Sequence, residues 1–367
     1  MRICLLFLGQ FDHDSRAQLI CRDILKSGWD LDIITVEGGS LTDFQGAPIH
    51  RIPQPVIPFR QRRFIEFNIK AATLARSLKA DIYHAIDLDT LWAAVSAAKK
   101  TRAKVLYESR ELYTEQLALL HRNHIKLFWK ILESRYIRKA DAIVTINESI
   151  ADELQKRYTI NKPTIVMNVA DTQKIAAKID LKNKYDLSGK FVLLYQGVLR
   201  PGQGIFRALK ALSQIPEAGL VFVGDGPLRN EIETQVEKLD ISSRVRFTGR
   251  VAPEELSGYT AGADAGLLLM EAEAMNNYLA LPQKLFQYIE VGVPPVVTDL
   301  PELKKIVMQD NLGLTLNYLS DANDVLSLKR FLREDLPRAK AACESIRGKY
   351  NWSIEGKKLL EIYRSLI

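Results

Sequence analysis

The chain of 367 residues carries a formal net charge of +7, and 47% of its residues are apolar. Because one domain usually takes roughly 100–200 residues, this length predicts two domains with full cores. The composition excludes a disordered, collagen-like or disulfide-scaffold protein. No apolar stretch reaches the roughly 20 residues of a membrane span, and the first apolar run, residues 3–8, is too short for the core of a signal peptide. We therefore expect a cytoplasmic protein.

Charge and cysteine usage add two expectations. Residues 51–140 hold 18 Lys or Arg against 8 Asp or Glu, a local charge of +10, so the remainder of the chain sums to −3. This asymmetry predicts two surfaces with different partners. Cys4, Cys21 and Cys343 show neither metal-ligand spacing nor a pairing pattern. We interpret them as buried thiols in a reducing compartment.

Strands alternate with helices along the first half of the chain, which predicts parallel βαβ units and an open sheet. A buried strand over residues 2–8 ends at Gly9, and a helix over residues 15–27 follows it. Further strands are predicted at residues 31–36, 81–84, 104–108, 142–146 and 164–167.

The same alternation restarts after a charged joint near residues 169–190. The restart predicts strands at residues 191–196, 219–223, 245–247, 265–270 and 295–298, with helices at 204–215, 228–239, 253–262 and 282–291. We therefore predict two doubly wound α/β domains, residues 1–170 and 185–350, and an amphipathic terminal helix at 351–367. Ligands of open parallel sheets bind beyond the carboxyl ends of the strands, although the fold does not identify the ligand.

Two glycine-rich loops follow strands of the second domain. The first, residues 197–204, contains Arg200, and its glycines allow a backbone to approach closely. The helix that starts there offers free N–H groups to a phosphate, and the arginine adds a charged hydrogen bond. The second loop, residues 224–226, precedes Pro227. An ordinary strand-to-helix turn remains the alternative for each loop, and a proline near a helix start suits that alternative.

A third candidate lies in residues 276–287. Lys284 and Gln287 are three positions apart and therefore share one face at the start of a predicted helix. A cation and an amide there would suit a diphosphate and a ribose hydroxyl. The alternative is a solvated helix face.

The first domain also carries polar side chains near the ends of two strands. His84 ends one predicted strand and Asp87 follows it, while Arg110 and Glu111 follow the next. A lone histidine is more often structural than catalytic. The adjacent Arg110 and Glu111 are harder to explain as core residues and could pair with each other.

Six segments in chain order resemble a known family: DIYHAIDLDTL, YESRELYTE, YQGVLRPGQG, VFVGDGP, FTGRV and LPQKLFQYIEVGVPPVVTDLPEL. Together they resemble the group 1 (family four) retaining glycosyltransferases of GT-B fold. The resemblance covers roughly residues 1–310 and the terminal helix. It implies two Rossmann-like domains facing a central cleft, with the C-terminal helix crossing back to the N-terminal domain. It also implies that the second domain binds a nucleotide-sugar donor and the first an acceptor.

The resemblance implies candidate residues in both domains. Those for donor binding are Gly197, Gly202, Gln203, Gly204, Gly224, Asp225, Gly226, Arg250, Asn277, Tyr278, Lys284, Leu285 and Gln287. Those on the acceptor side are Gly9, Asp14, Arg16, His84 and Asp87. The catalytic candidates are Arg110, Glu111, Arg200 and Lys284. The family's chemistry consists mainly of stabilising charge on the leaving diphosphate, and no metal is expected.

The donor side departs from the family's motif. By alignment to the variant PNKLFEY, the second glutamate of the usual pair, which holds the ribose, falls on Gln287, and the first falls on Leu279. The arginine and lysine of the family's glycine loop fall near Val198 and Gln203. Arg200 and Lys284 are therefore the basic residues left as candidates for contact with the phosphates.

The main departure on the acceptor side is Arg110, which stands where related sequences have a histidine near the reacting sugar. A guanidinium stays protonated and cannot act as a base. It can still stabilise a departing diphosphate or order the acceptor. Retaining transfer is thought to use the donor's own phosphate to help remove the acceptor proton, so the loss of histidine need not abolish activity.

Two segments of the first domain mix cations with apolar side chains. One covers residues 59–70. In the other, Arg122, Lys126, Lys130, Arg135, Arg138 and Lys139 surround an apolar stripe formed by Ile125, Phe128, Trp129, Leu132 and Tyr136. Such a helix can lie on anionic lipid, which would suit a lipid-linked acceptor and a peripheral position on the inner face of a membrane. The alternative is that the stripe is core and the cations solvate the outer face.

We therefore expect a metal-independent hexosyltransferase without a cofactor that uses a nucleoside-diphosphate sugar, with a UDP-sugar favoured. Its acceptor would be a glycan or lipid-linked molecule in polysaccharide or glycolipid assembly. A second hypothesis is a catalytically degraded sugar-nucleotide or glycan-binding protein that partners another transferase. A third, a GT-B-fold sugar-nucleotide epimerase, lacks paired acid and base residues. No nucleic-acid-binding module is recognised.

Overall fold

The computed structural model describes residues 1–53, 60–169, 171, 175–317 and 323–367, with the backbone alone for residues 60–62. The described chain divides into two compact units. The first unit comprises Met1–Asn168 together with Trp352–Ile367, and the second comprises Val169–Asn351. Part of the charged joint near residues 169–190, namely Ala170 and residues 172–174, lies outside the described residues.

An eight-stranded sheet forms the centre of the first unit. Its strands are β1 (Arg2–Phe7), β2 (Asp30–Val36), β3 (Asp43–Phe44), β4 (Ala47–Ile52), β5 (Ile82–Ile86), β6 (Lys104–Ser109), β7 (Ala142–Thr145) and β8 (Thr164–Ile165). They lie in the order β3-β4-β2-β1-β5-β6-β7-β8, and β3–β4 is the antiparallel pair. In β1 every residue after Arg2 is buried, as expected for a central parallel strand covered on both faces.

Helices cover this sheet. They are α1 (Ser15–Lys26), α2 (Arg60–Leu78), α3 (Leu88–Thr101), α4 (Asn123–Tyr136) and α5 (Glu148–Tyr158). Polar side chains begin two of them. The Asp14 carboxylate accepts from the N–H of Ala17 at 2.8 Å, and the Asn147 side chain accepts from the N–H of Ile150 at 2.8 Å. Each cap satisfies a backbone donor that the first helical turn leaves unpaired.

The second unit repeats the design with a six-stranded parallel sheet. Its strands are β9 (Phe191–Gln196), β10 (Ala218–Val223), β11 (Val245–Phe247), β12 (Ala265–Leu268), β13 (Pro295–Thr298) and β14 (Leu314–Leu316), in the order β11-β10-β9-β12-β13-β14. Its helices are α6 (Leu181–Lys184), α7 (Ile205–Ser213), α8 (Arg229–Lys238), α9 (Pro253–Ala261), α10 (Met275–Tyr278), α11 (Gln283–Glu290), α12 (Pro301–Gln309), α13 (Asp324–Arg330) and α14 (Leu336–Ser345). The core packs Leu193 and Leu220 of the sheet against Leu209 of α7.

The last helix, α15 (Trp352–Ser365), belongs to the first unit although it follows the second in sequence. The indole N–H of Trp352 donates to Asp23 at 2.7 Å, and the Glu355 carboxylate accepts from the N–H of Met167 at 2.8 Å. Burial of the Trp352 side chain adds apolar contact to these polar ones. The predicted fold class, two parallel α/β units with a returning terminal helix, is therefore confirmed. The β3–β4 hairpin and the helices α12, α13 and α14 were not predicted.

Candidate functional site

The order of the strands in the second unit reverses between β9 and β12. Ligands of open parallel sheets bind outside the carboxyl ends of the strands at such a switch point. The chain leaves β9 through the loop of residues 197–204. The N–H of Glu271, which follows β12, donates to the carbonyl of Gly202 at 3.1 Å and joins the two loops. The first glycine-rich loop therefore lies where this fold favours a ligand.

Glycines in these loops permit backbone contacts that a side chain would block. A Cβ at Gly224 would collide with the carbonyl of Gly197, and a Cβ at Gly204 would collide with the carbonyl of Leu269. Gly224 and Gly204 also have φ angles of 135° and 64°, which favour glycine. The helix α7 begins directly after Gly204. The unpaired N–H groups of its first turn therefore lie at the end of the closely packed loop of residues 197–204.

Lys284 brings a cation to this edge from the first turn of α11. Gly266 in β12 lets the ring of Tyr288 pack directly on the strand, because a Cβ there would come within 2.6 Å of the ring. With α11 docked so closely, Nζ of Lys284 lies 3.1 Å from Oε1 of Gln203 and 4.7 Å from the ring centroid of Tyr195.

The ammonium of Lys284 is poorly stabilised in the described chain. Burial and, to a smaller extent, the positive charge of Arg200 lower the pKa of Lys284 to about 7. No carboxylate of the described residues pairs with it. Arg200 and Arg250 are exposed and, within the same residues, make no side-chain hydrogen bond or ion pair. An anion would therefore stabilise the cations at this edge.

Gln287 lies one turn along α11 and is held by a chain of hydrogen bonds. Oγ1 of Thr260 donates to Oε1 of Gln196 at 2.7 Å, and Nε2 of Gln196 donates to Oε1 of Gln287 at 2.5 Å. No partner of the Gln287 amide nitrogen lies among the described residues. An amide N–H is a suitable donor to a sugar hydroxyl.

The other donor-side candidates occupy varied positions. Gln203 is buried, Asp225 is exposed, and Asn277 and Tyr278 are half-buried. The side chain of Leu285 is fully buried, as part of the apolar face of α11. The helix period points this side chain into the core, and the assignment of Leu285 to donor binding stays a prediction.

At the carboxyl edge of the first unit, Arg110 is held by two aspartates. Its backbone N–H, Nε and Nη2 donate to Asp87 at 3.1, 2.9 and 2.6 Å, and its Nη1 donates to Asp14 at 2.7 Å. Although burial opposes the charge, these carboxylates raise the pKa of Arg110 well above its usual value. Asp87 keeps this position with a φ of 62°, which strains a residue other than glycine. The carboxylate of Glu111, in turn, accepts from Gln116.

Two residues expected to face the acceptor, Arg16 and His84, are buried instead. Nε of Arg16 lies 2.5 Å from Glu108, and its other nitrogens donate to the carbonyls of residues 166–167 at 2.9 and 2.7 Å. Nδ1 of His84 lies 2.6 Å from the hydroxyl of Tyr363, and Nε2 lies 3.1 Å from Glu108. These contacts tie α1, β5, β6 and α15 together, so the acceptor-side expectation was wrong for both residues.

The structure brings Asp89 and Tyr113, which were not assigned from the sequence, to the same edge. Tyr113 lies beside Asp89 and interacts with its carboxylate. Burial and the charge of Asp87 raise the pKa of Asp89 well above its usual value, as happens at many functional sites. The spacing of Asp87 and Asp89 could have identified Asp89 from the sequence, because it puts Asp89 in the first turn of the helix after β5. Gly9 also lies here, and its carbonyl accepts from Thr35 at 2.6 Å.

The helix predicted to be basic, now α4, packs most of its apolar stripe inward. Trp129 and Leu132 are buried, and the Phe128 ring lies 5.9 Å from that of Phe64. Four of the surrounding cations already have partners in the first unit: Lys126 and Lys130 pair with Glu115, Arg138 donates to the carbonyl of Tyr158, and Lys139 lies over the ring of Tyr136. These contacts favour the interpretation of the stripe as core. In the segment of residues 59–70, Phe59 and the side chains of residues 60–62 lie outside the described part.

Three further expectations concern cysteines, metals and membrane spans. Cys4, Cys21 and Cys343 are free and buried, as expected. Among the described residues, no group of three or more His, Cys, Asp and Glu side chains is arranged to hold a metal ion. Within the same ranges, none of the helices combines the length and apolarity needed to cross a bilayer.

Comparison with known families covers both units. Residues 177–340 match the family described as "Glycosyl transferases group 1". Residues 16–174 match the family described as "Glycosyltransferase Family 4". The two matches fall on separate halves of the chain and meet near the joint.

Several characterised proteins are similar in sequence. Alpha-monoglucosyldiacylglycerol synthase of Streptococcus pneumoniae is 22% identical over 79% of this chain and 68% of its own length. Alpha-D-kanosaminyltransferase of Streptomyces kanamyceticus is 22% identical over 65% of this chain and 64% of its own length. Sulfoquinovosyl transferase SQD2 of Arabidopsis thaliana is 21% identical over 95% of this chain and 69% of its own length. The chain thus matches about two thirds of the length of these relatives.

Solved structures share the fold over the whole chain. Sucrose-phosphate synthase from Thermosynechococcus elongatus superposes with a TM-score of 0.80 at 16% identity, covering 100% of this chain and 98% of that one. Anabaena Alr3699/HepE in complex with UDP-glucose superposes with a TM-score of 0.76 at 17% identity, covering 100% of both chains. At these identities the likeness shows the GT-B fold.

Proposed function

Since the chain belongs to the group 1 glycosyltransferases, we propose that it transfers a hexose from a nucleoside-diphosphate sugar to a glycan or lipid-linked acceptor in polysaccharide or glycolipid assembly. The observation that carries the proposal is the ammonium of Lys284 at the switch point of the second sheet, where no described carboxylate pairs with it. A diphosphate supplies the negative charge that this ammonium lacks. UDP is the favoured nucleotide, because a protein of the same fold binds UDP-glucose.

In the proposed reaction, the bond between the anomeric carbon and the diphosphate oxygen breaks, and a bond from that carbon to the acceptor oxygen forms. The electron pair stays on the diphosphate, where Lys284, Arg200 and the N–H groups near Gly202 and Gly204 stabilise the charge. The acceptor proton passes to a phosphate oxygen of the leaving group. The step therefore needs no protein base, so it is consistent with an arginine at position 110, which cannot act as one. The acceptor enters on the face that the diphosphate leaves, so the anomeric configuration is retained.

Calorimetry with a panel of UDP, GDP, ADP, CMP and dTDP, each with and without its common sugars, tests the donor. We expect one nucleotide, UDP, to bind best and one sugar to modulate its affinity. Binding of none of the panel would contradict the proposal. A chelator added to a transfer assay tests the proposed independence of metal, and turnover should survive it.

The double pairing of Arg110 favours one alternative, a sugar-nucleotide or glycan-binding protein without turnover. A guanidinium held by Asp87 and Asp14 offers neither a base nor a free cation to the reacting sugar. Comparison of the unaltered chain with Arg110→His distinguishes the two. Turnover in either form supports the transferase, whereas absent turnover with intact nucleotide binding in both forms supports the binder.

We also propose that the first unit contacts anionic lipid through the outer face of α4. That face exposes 58% of Leu127 and 60% of Ile131; the exposed Arg135 lies on the same helix, and the exposed Arg122 directly precedes it. Apolar side chains among cations suit the surface of an anionic bilayer. Flotation with anionic and neutral vesicles tests this, and equal recovery with both would exclude it.

A further inference from the structure

The first unit contains a cavity of about 320 Å³ beside the carboxyl end of β1. It lies among α2, α4 and the turns of residues 113–119. Its wall is mainly apolar and aromatic, and includes Leu8, Phe64, Tyr113, Leu119, Ile125 and Trp129. A hydrocarbon chain bound against such a wall is removed from water, which is favourable. The wall offers few hydrogen-bond partners to the hydroxyls of a soluble sugar.

Contacts among the wall residues hold the cavity open. The ring of Trp129 lies 4.7 Å from that of Phe64 and 4.9 Å from that of Tyr113, both in edge-to-face arrangements. The turn that closes one side is anchored through Glu115, which pairs with Lys126 of α4, with Lys130 at 3.2 Å and with Arg157 of α5 at 2.9 Å. The cavity is therefore largely formed before any ligand binds.

Polar groups of two kinds border the apolar wall. Arg63 and Arg122 also line the cavity, and Arg122 is exposed. Tyr113 interacts with Asp89, next to the cluster of Asp87 and Arg110 at the edge of the sheet. The cavity thus combines a mainly apolar wall, two cations and a lining tyrosine, Tyr113, that interacts with the polar edge where acceptor-side candidates lie.

We propose that this cavity binds an acceptor in which a hydrocarbon chain carries a phosphate group. The hydrocarbon lies against Phe64, Ile125 and Trp129, and the phosphate contacts Arg63 and Arg122. The part that receives the sugar points toward Asp89 and the edge of the sheet. The identification of this ligand as the acceptor rests on the proposed function, but its binding does not require a donor.

Calorimetric titration with decyl phosphate below its micellar concentration tests the site, with decyl glucoside and inorganic phosphate as comparison ligands. We expect decyl phosphate to bind saturably, decyl glucoside about tenfold more weakly, and inorganic phosphate not measurably. Equal affinity for the phosphate and the glucoside would overturn the role of the arginines. Binding of inorganic phosphate as tight as that of decyl phosphate would overturn the role of the apolar wall.

Variants locate the binding. Ala118 lines the cavity yet is exposed, so Ala118→Phe should fill the space without loss of folding and weaken decyl phosphate at least about tenfold. Arg122→Gln should weaken it by about tenfold but leave decyl glucoside unchanged. Ile69→Gln, at an exposed position of α2 that does not line the cavity, is the matched control and should leave both affinities unchanged. Binding that survives Ala118→Phe unchanged would place the ligand outside the cavity and overturn the proposal.

Nucleotide titrations of the same variants separate this inference from the proposed function. UDP affinity should be unchanged in all three, because they lie in the first unit. A protein that binds UDP but not decyl phosphate would overturn the inference alone. A protein that binds decyl phosphate but no nucleotide would overturn the proposed transfer and leave the cavity as a binding site.

Discussion

At the carboxyl edges of the two sheets, arginine and lysine side chains differ in whether a carboxylate pairs with them. In the first unit, Arg110 lies within 2.7 Å of carboxylates of both Asp14 and Asp87. In the second unit, Arg200 and Lys284 have no carboxylate partner among the described residues. Similar α/β frameworks thus present a paired arginine at one edge and cations without a described carboxylate partner at the other. The difference teaches that pairing, more than the number of cations, decides which edge is suited to an anion.

The strongest way to break this contrast is to unpair a buried cation of the first unit. Glu108→Ala should lower the free energy of unfolding by about 3–5 kcal/mol, because it leaves Arg16 buried without its carboxylate. Urea unfolding measures this. The control is Glu66→Ala, which removes a partly exposed pair with Lys70 and should cost less than about 1 kcal/mol.

The pH dependence of this stabilisation follows from the state of Glu108. Burial opposes the charge, but Arg16 and His84 overcome it and lower the pKa of Glu108 below its usual value. The contribution is therefore present at neutral pH and is lost as the pH falls through the lowered pKa. Equal stability of Glu108→Ala and the unaltered chain near neutral pH would show that the network contributes nothing.

The next prediction concerns the loss of one cation, Lys284, from the edge of the second sheet. Lys284→Ala should weaken UDP binding by about 10–100-fold, since a charged hydrogen bond contributes about 1.5–3 kcal/mol. Calorimetry measures the affinity. Lys305→Ala, an exposed lysine of α12, is the matched control and should bind UDP normally. Unchanged affinity in Lys284→Ala would remove Lys284 from the site.

The lowered pKa of Lys284 predicts a pH effect of the same origin. Because that pKa is about 7 in the free protein, the ammonium is lost as the pH rises above 7. A bound diphosphate favours the protonated form, so UDP affinity should fall by up to about tenfold per pH unit above 7. Lys284→Arg should flatten the profile, since a guanidinium stays charged. A flat profile in the unaltered chain would show that protonation of Lys284 is not coupled to binding.

The smallest expected effect concerns Gln287. In Gln287→Glu, Gln196 can still donate to one carboxylate oxygen, which leaves the other free to accept from a ribose hydroxyl. UDP affinity should rise about 2–10-fold. The comparison ligand is 2′,3′-dideoxyuridine diphosphate, which lacks the hydroxyls and should gain nothing. An equal gain for both nucleotides would place the ribose elsewhere.

Much of the fold was predictable because the apolar periods are strong. The buried runs of β1 and β9 and the glycines that end them identify parallel strands directly. Elements with weaker patterns were missed, as in the hairpin formed by β3 and β4, whose residues are mostly exposed or half-buried. A strand with little apolar burial leaves little periodicity in the sequence.

The candidate site was predicted less evenly. A helical spacing predicted that Lys284 and Gln287 share one face, and the structure places both at the switch point. Arg16 and His84 were misassigned, because the sequence gives no sign of partners that lie far along the chain. The His84 partner Tyr363 is separated from it by 279 positions.

By itself the sequence determined the two-unit α/β design, the loops at the strand ends and the family, because these depend on local periodicity and on short contiguous motifs. Only the tertiary structure decided which cations are paired. Asp14 lies 96 positions from Arg110, and Glu108 lies 92 positions from Arg16. Whether a charge is neutralised depends on groups within a few ångströms in space, and electrostatic energy varies with that distance and with burial. The fold sets both of these quantities.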